Sequence, residues 1–64
     1  MTRRTLKEAR IAKGMTQQQV AEHLDITPRY YKQIEAGERT GDFSIWDRLE
    51  DLFSIHQRKL RELS

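Results

Sequence analysis

Sixty-four residues, with twelve Lys and Arg, ten Asp and Glu and no cysteine, describe a small, mildly basic chain. At this length folding buries only about 60% of the surface that the unfolded chain exposes, so one small domain, residues 1–64, is expected. Without cysteine a disulfide framework or thiolate metal site is excluded, and apolar runs of at most two residues exclude a membrane-spanning helix or signal-peptide core, so a cytoplasmic protein is expected.

In chain order the signals are helical, with no two-residue alternation and few β-branched residues to suggest strands. "TLKEARIAKG" sets Thr5 three residues before Glu8, the spacing of a capping box, and stops at Gly14. "TQQQVAEHL" repeats the device with Thr16 and Gln19. "TPRYYKQIEAG" offers Thr27 as N-cap, Pro28 in the first helical position and Gly37 past the end. "DFSIWDRLEDLF" opens on Asp42 or Ser44 and places Phe43, Trp46, Leu49, Leu52 and Phe53 along one face. "HQRKLREL" predicts a short last helix anchored by Leu60 and Leu63, with a fraying end. Leu6, Ala9 and Met15 complete the expected core. No repeat, low-complexity segment or linker interrupts the pattern. An all-α, five-helix domain follows.

The charge is unevenly spread. Residues 1–39 hold eight bases and five acids, and residues 40–64 four bases and five acids. The tilt is mild, and fits a solvated surface as well as a polyanionic partner.

The third segment, "ITPRYYKQIEAGER", carries more information. At about 100° per residue, Tyr31 and Ile34 share one face while Arg29, Gln33 and Ala36 lie opposite, with Lys32 alongside. A solvated helix face is the ordinary explanation of such a pattern. The neighbouring helix changes the weighting, because only Asp25, Ile26 and Thr27 separate the two. So short a turn forces a steep crossing, as in a helix-turn-helix. Ala21 supplies the small residue at the crossing, Asp25 tolerates a left-handed backbone, and Val20, Leu24, Ile26, Tyr31 and Ile34 plug the space beneath.

With its frame of Thr16, Gln17, Ala21, Ile34, Glu35 and Gly37, "MTQQQVAEHLDITPRYYKQIEAGER" resembles the helix-turn-helix of the phage-repressor/Cro-like transcriptional regulators. The likeness runs from "LKEARIAKG" through "IWDRLEDLFSI". It implies a compact lambda-repressor-like DNA-binding domain, with its helix-turn-helix formed by helices 2 and 3 and the helix at 28–36 in the major groove.

The same likeness implies roles by position. Pro28, Arg29, Lys32 and Gln33 match base-reading positions, Arg29 suited to the O6/N7 edge of guanine and Gln33 to adenine, with Lys32 within reach of a base or a phosphate. Thr16, Gln17, Thr27, Tyr30, Arg39 and Thr40 match positions on the DNA backbone. Arg10 and Glu35 match a salt bridge between the first and third helices, with Arg10 also near a phosphate. The sequence departs from the family's pattern at Asp25, where glycine is usual, and at Pro28, which has no donor. Tyr31 is bulkier than the usual aliphatic residue, and its hydroxyl needs a partner or a route to solvent.

The implied protein is a sequence-specific regulator of double-stranded DNA, a repressor of phage or mobile-element type, bacterial or phage-encoded and nucleoid-associated. Neither a cofactor nor catalysis is expected. A homodimer on a palindromic operator is expected, with Phe53, Ile55, His56 and Arg58 as its contact surface. Other assignments are weaker. His23 and His56 lack metal-ligand spacing, so no metal site is expected. Ser44, Ser54 and Ser64 have no nucleophile context. Trp46, Phe43 and Phe53 read as core rather than a stacking platform, and Arg58, Lys59 and Arg61 as a solvated or nonspecific phosphate-facing surface. The alternatives are an antitoxin-like protein-interaction module with secondary DNA binding, or nucleic-acid binding by charge alone.

Overall fold

The computed structural model describes residues 1–63, which form five helices and no strand. Ser64, one of the serines weighed above and the last residue of the expected domain, lies outside the described residues. The helices are α1 (Arg4–Ala12), α2 (Gln17–Leu24), α3 (Pro28–Glu35), α4 (Phe43–Phe53) and α5 (Gln57–Leu60). None of the described helices is long and apolar enough to cross a membrane.

The three middle helices each begin on a side-chain oxygen. Thr16 Oγ1 accepts from the Gln19 N–H at 3.0 Å while Gln19 Oε1 accepts from the Thr16 N–H at 2.8 Å, a complete capping box. Thr27 Oγ1 accepts from the Tyr30 N–H at 3.1 Å, with Pro28 following it. Of the two candidates before α4, Asp42 is the cap, accepting from the Ile45 N–H at 3.0 Å and from the Ser44 hydroxyl at 3.1 Å. Those two bonds hold the exposed Asp42 carboxyl below its ordinary range.

The first helix departs from the sequence reading. It begins at Arg4 with Arg3 as N-cap and no side-chain cap, so Thr5 is already inside the helix and does not cap it. Arg3 instead turns its side chain inward, where it is almost fully buried.

Between α2 and α3 the chain reverses at Asp25, which sits in the left-handed region at φ 60° and ψ 41°. The Ile26 N–H closes onto the Ala21 carbonyl at 3.0 Å, a hydrogen-bond pattern that satisfies the end of α2 within two residues of its stop. Ala21, fully buried, lets the two helices approach, and α2 packs most extensively against α3. Behind this pair, α1 and α4 both lean on α5. The core is drawn from all five helices, with Leu6, Val20, Tyr31, Ile34, Trp46, Leu49 and Leu60 its largest fully enclosed side chains. Each such side chain contributes about 1.5–3 kcal/mol by leaving water, which is how helices too short to stand alone persist.

Two expected core residues lie outside it. Phe43 is 80% exposed, because it opens α4 on the outer side of the first turn and Ile45 fills the inner position. Leu63 is 48% exposed, because α5 stops at Leu60 and the helical spacing that would have aimed Leu63 inward does not extend to it.

Candidate nucleic-acid interface

The outer face of α3 is polar, and its bases are unengaged. Pro28, Arg29 and Lys32 are exposed and Gln33 is half-buried. The side chains of Arg29, Lys32 and Gln33 make no hydrogen bond or ion pair with any described residue. A guanidinium, an ammonium and an amide therefore stand on one short helix, available to an external partner. Thr16 and Thr27, at the starts of α2 and α3, are exposed, and Gln17 is half-buried between them. Arg39 and Thr40 are exposed on the loop that leaves α3. Tyr30 is half-buried against the core edge.

Beneath this face lies a polar anchor. Glu35, only 3% exposed, accepts from Arg10 through Nε to Oε2 and through Nη2 to Oε1, both at 2.9 Å. Arg10 Nη1 also donates to the Met15 carbonyl at 3.0 Å, so one guanidinium joins α1, the α1–α2 turn and α3. Burial pushes the Glu35 carboxyl up, but the Arg10 hydrogen bonds overcome it and hold the group below its ordinary range. Gln17 Nε2 donates to Glu35 Oε1 at 3.3 Å, which links the first turn of α2 to the end of α3. The Tyr31 hydroxyl is buried beside this pair without a hydrogen-bond partner, and burial, reinforced by the Glu35 carboxylate, pushes it well above the ordinary phenol range.

Around α5, Phe53 is buried in the core and contributes little outer surface. Ile55 is half-buried, and His56 and Arg58 are exposed, the His56 Nδ1 accepting from the Arg58 N–H at 3.1 Å. No group of three or more His, Asp or Glu able to hold a metal occurs among the described residues.

Residue-by-residue reading of the sequence missed Arg3. That arginine enters there only in the count of bases, yet its guanidinium donates to three backbone carbonyls, those of Ile34, Arg39 and Arg61. These partners are distant in sequence, so no local pattern announces them.

Residues 6–56 match the family model described as Helix-turn-helix. No curated protein and no solved structure matches the chain significantly.

Proposed function

Because the chain belongs to the helix-turn-helix family of phage-repressor/Cro-like type, a family of DNA-binding transcriptional regulators, we propose that it is a sequence-specific repressor that occupies an operator in double-stranded DNA. The observation that carries this reading is the face of α3, where Arg29, Lys32 and Gln33 stand unpartnered on a helix anchored from beneath. A charge-only surface would not need the amide, and the core of a protein interface is depleted in lysine.

In this reading α3 lies in the major groove. Arg29 donates two hydrogen bonds to a guanine edge, Gln33 pairs with adenine, Lys32 meets a base or phosphate, and the Pro28 ring packs on a thymine methyl. Thr16, Gln17, Thr27, Tyr30, Arg39 and Thr40 line the flanking phosphates and fix the register. One eight-residue reader covers a short site, so two copies bind a palindrome with half-sites about 34 Å apart. Ile55, His56 and Arg58 then belong to the contact between copies. The protein acts in the cytoplasm by steric occupation of its site, without catalysis.

Selection from a random duplex library at low and near-physiological salt, with wild type and Arg29→Ala in parallel, tests this directly. The expected result is a symmetric site for wild type and loss of preference at one position per half-site in the variant, worth about 1–3 kcal/mol. Failure of wild type to enrich any motif at either salt would refute it.

A further inference from the structure

We infer that Arg3 and Trp46 are positioning residues that shape the loop between α3 and α4 so that its backbone N–H groups, with Arg39 and Thr40, grip a DNA phosphate. The inference rests on the DNA-binding reading above, and adds two residues that lie behind the loop and outside the expected contact surface.

Arg3 Nη1 donates to the Ile34 carbonyl at 2.6 Å and to the Arg39 carbonyl at 2.9 Å, and its Nε donates to the Arg61 carbonyl at 3.1 Å. Its backbone N–H donates to the Glu35 carbonyl at 2.9 Å. The Trp46 indole N–H donates to the very next loop carbonyl, that of Thr40, at 2.7 Å. The Arg3 guanidinium lies 5.2 Å from the centre of the same indole, so the two donors brace one another.

Two consecutive carbonyls, those of Arg39 and Thr40, are thus pulled inward. In a trans peptide the C=O of one residue and the N–H of the next point in opposite directions. The N–H groups of Thr40 and Gly41 are therefore turned away from Arg3 and Trp46, and neither has a partner among the described residues. Successive N–H groups directed to one side form a concavity suited to an anion. Gly41 has φ +74°, a conformation that strains any L side chain, and a Cβ there would stand a tight 3.2 Å from the indole nitrogen, so the chain runs close against Trp46. The buried Arg3 charge sits behind this concavity and adds to its positive potential. Burial and the neighbouring Arg61 lower the pKa of that guanidinium from its ordinary value, a direction that burial against carbonyls rather than carboxylates explains.

Two variants separate positioning from mere folding. Trp46→Phe keeps an aromatic ring and deletes the N–H, and Arg3→Lys keeps the charge and deletes the planar fork. For each, the full chain is compared with wild type by backbone ¹⁵N relaxation at Arg39, Thr40 and Gly41, by urea midpoint, and by affinity for the selected duplex across a salt series. In folded variants the loop order parameters are expected to fall from about 0.85 towards 0.6 while those of α2 and α3 stay put. Binding is expected to weaken about two- to tenfold. The slope of log affinity against log salt is expected to shrink by about 0.9, one phosphate contact, which a purely structural loss would leave unchanged. Unchanged loop order and unchanged salt slope in both folded variants would overturn the positioning role. A wild-type chain that selects no duplex would instead overturn the functional reading and the phosphate role with it, while the relaxation data still decide whether Arg3 and Trp46 hold the loop.

Discussion

Replacing Arg10 with Met should convert the anchor under α3 from a source of stability into a liability, with a reversed response to pH. The guanidinium gives Glu35 two hydrogen bonds at 2.9 Å, and Glu35 is almost wholly enclosed. Removing one partner of such a buried pair costs about 3–5 kcal/mol, because the remaining charge has lost its compensation. A chain of this size has a total stability of about 3–10 kcal/mol. Between about a third and all of the stability is therefore at stake. With a urea slope of about 1 kcal/mol per molar, the midpoint should fall by about 3–5 M or the chain should unfold without denaturant. In wild type the Glu35 pKa is depressed in the folded state, so its contribution is complete above the unfolded value near pH 4 and is lost as pH falls through the folded value. Without Arg10 the uncompensated burial dominates and raises the pKa above the unfolded value. The variant should then gain stability on acidification from about pH 7 to 5, relative to wild type over the same interval. Arg10→Met combined with Glu35→Leu should recover most of the loss. Urea unfolding followed by circular dichroism at several pH values reads all three. A single variant that loses less than about 1 kcal/mol, with no difference in pH response, would falsify the anchor.

Four further substitutions test other parts of the packing. Tyr31→Phe deletes a buried hydroxyl that has no partner, so thermal unfolding should show it neutral or stabilising by about 1 kcal/mol, and a comparable loss would mean that the hydroxyl is bonded after all. Gly37→Ala should destabilise by about 1–3 kcal/mol, since φ is +83° and a Cβ would collide with the Met1 carbonyl; an unchanged urea midpoint would refute that close approach. Phe43→Ser should leave stability within about 0.5 kcal/mol, whereas Ile45→Ala should cost about 2–4 kcal/mol, and the reverse order would return Phe43 to the core.

The all-α fold was legible because each helix start carries its own short-range signal. Thr16 with Gln19, Thr27 with Pro28, and Asp42 ahead of an apolar stripe are local patterns, and the hydrogen bonds they predict form within three residues. The reversal at Asp25 was equally local, since a three-residue turn admits few geometries and Asp accepts φ 60° at low cost. Legibility failed where direction depended on tertiary partners. The stripe in α4 places Phe43 one turn ahead of Trp46, but nothing packs over that first turn from outside, and Ile45 faces the core instead. Leu63 fails for a related reason, as the chain leaves the helix before its spacing takes effect. Thr5 and Glu8 have the spacing of a cap in a place where Arg3 has already begun the helix. Arg29 and Lys32 were assigned to an outward face by helical period alone, and both are exposed; what they touch there was suggested by resemblance to a family.

Arg3 and Arg10 explain why α3 can present so polar a face. An eight-residue helix forms only marginally by itself, and α3 commits just Tyr31 and Ile34, with the charged Glu35, to the interior. Its start is held by the Thr27 cap and its end by two cations from the α1 region, Arg3 on the Ile34 carbonyl and Arg10 on the Glu35 carboxylate. Cations at a helix C-terminus also complement its dipole. Because these clamps sit at the end and on the inner side, stabilisation of α3 makes no demand on Arg29, Lys32 or Gln33. Their composition can change without loss of the fold, which is the property a DNA reader requires if different relatives are to recognise different sites. Substituting all three with Ala should therefore leave the unfolding free energy, read from urea titration, within about 1 kcal/mol of wild type while abolishing sequence preference. A large loss of stability in that triple variant would mean that the outer face of α3 takes part in folding, and would remove the separation between scaffold and reader on which the proposed function depends.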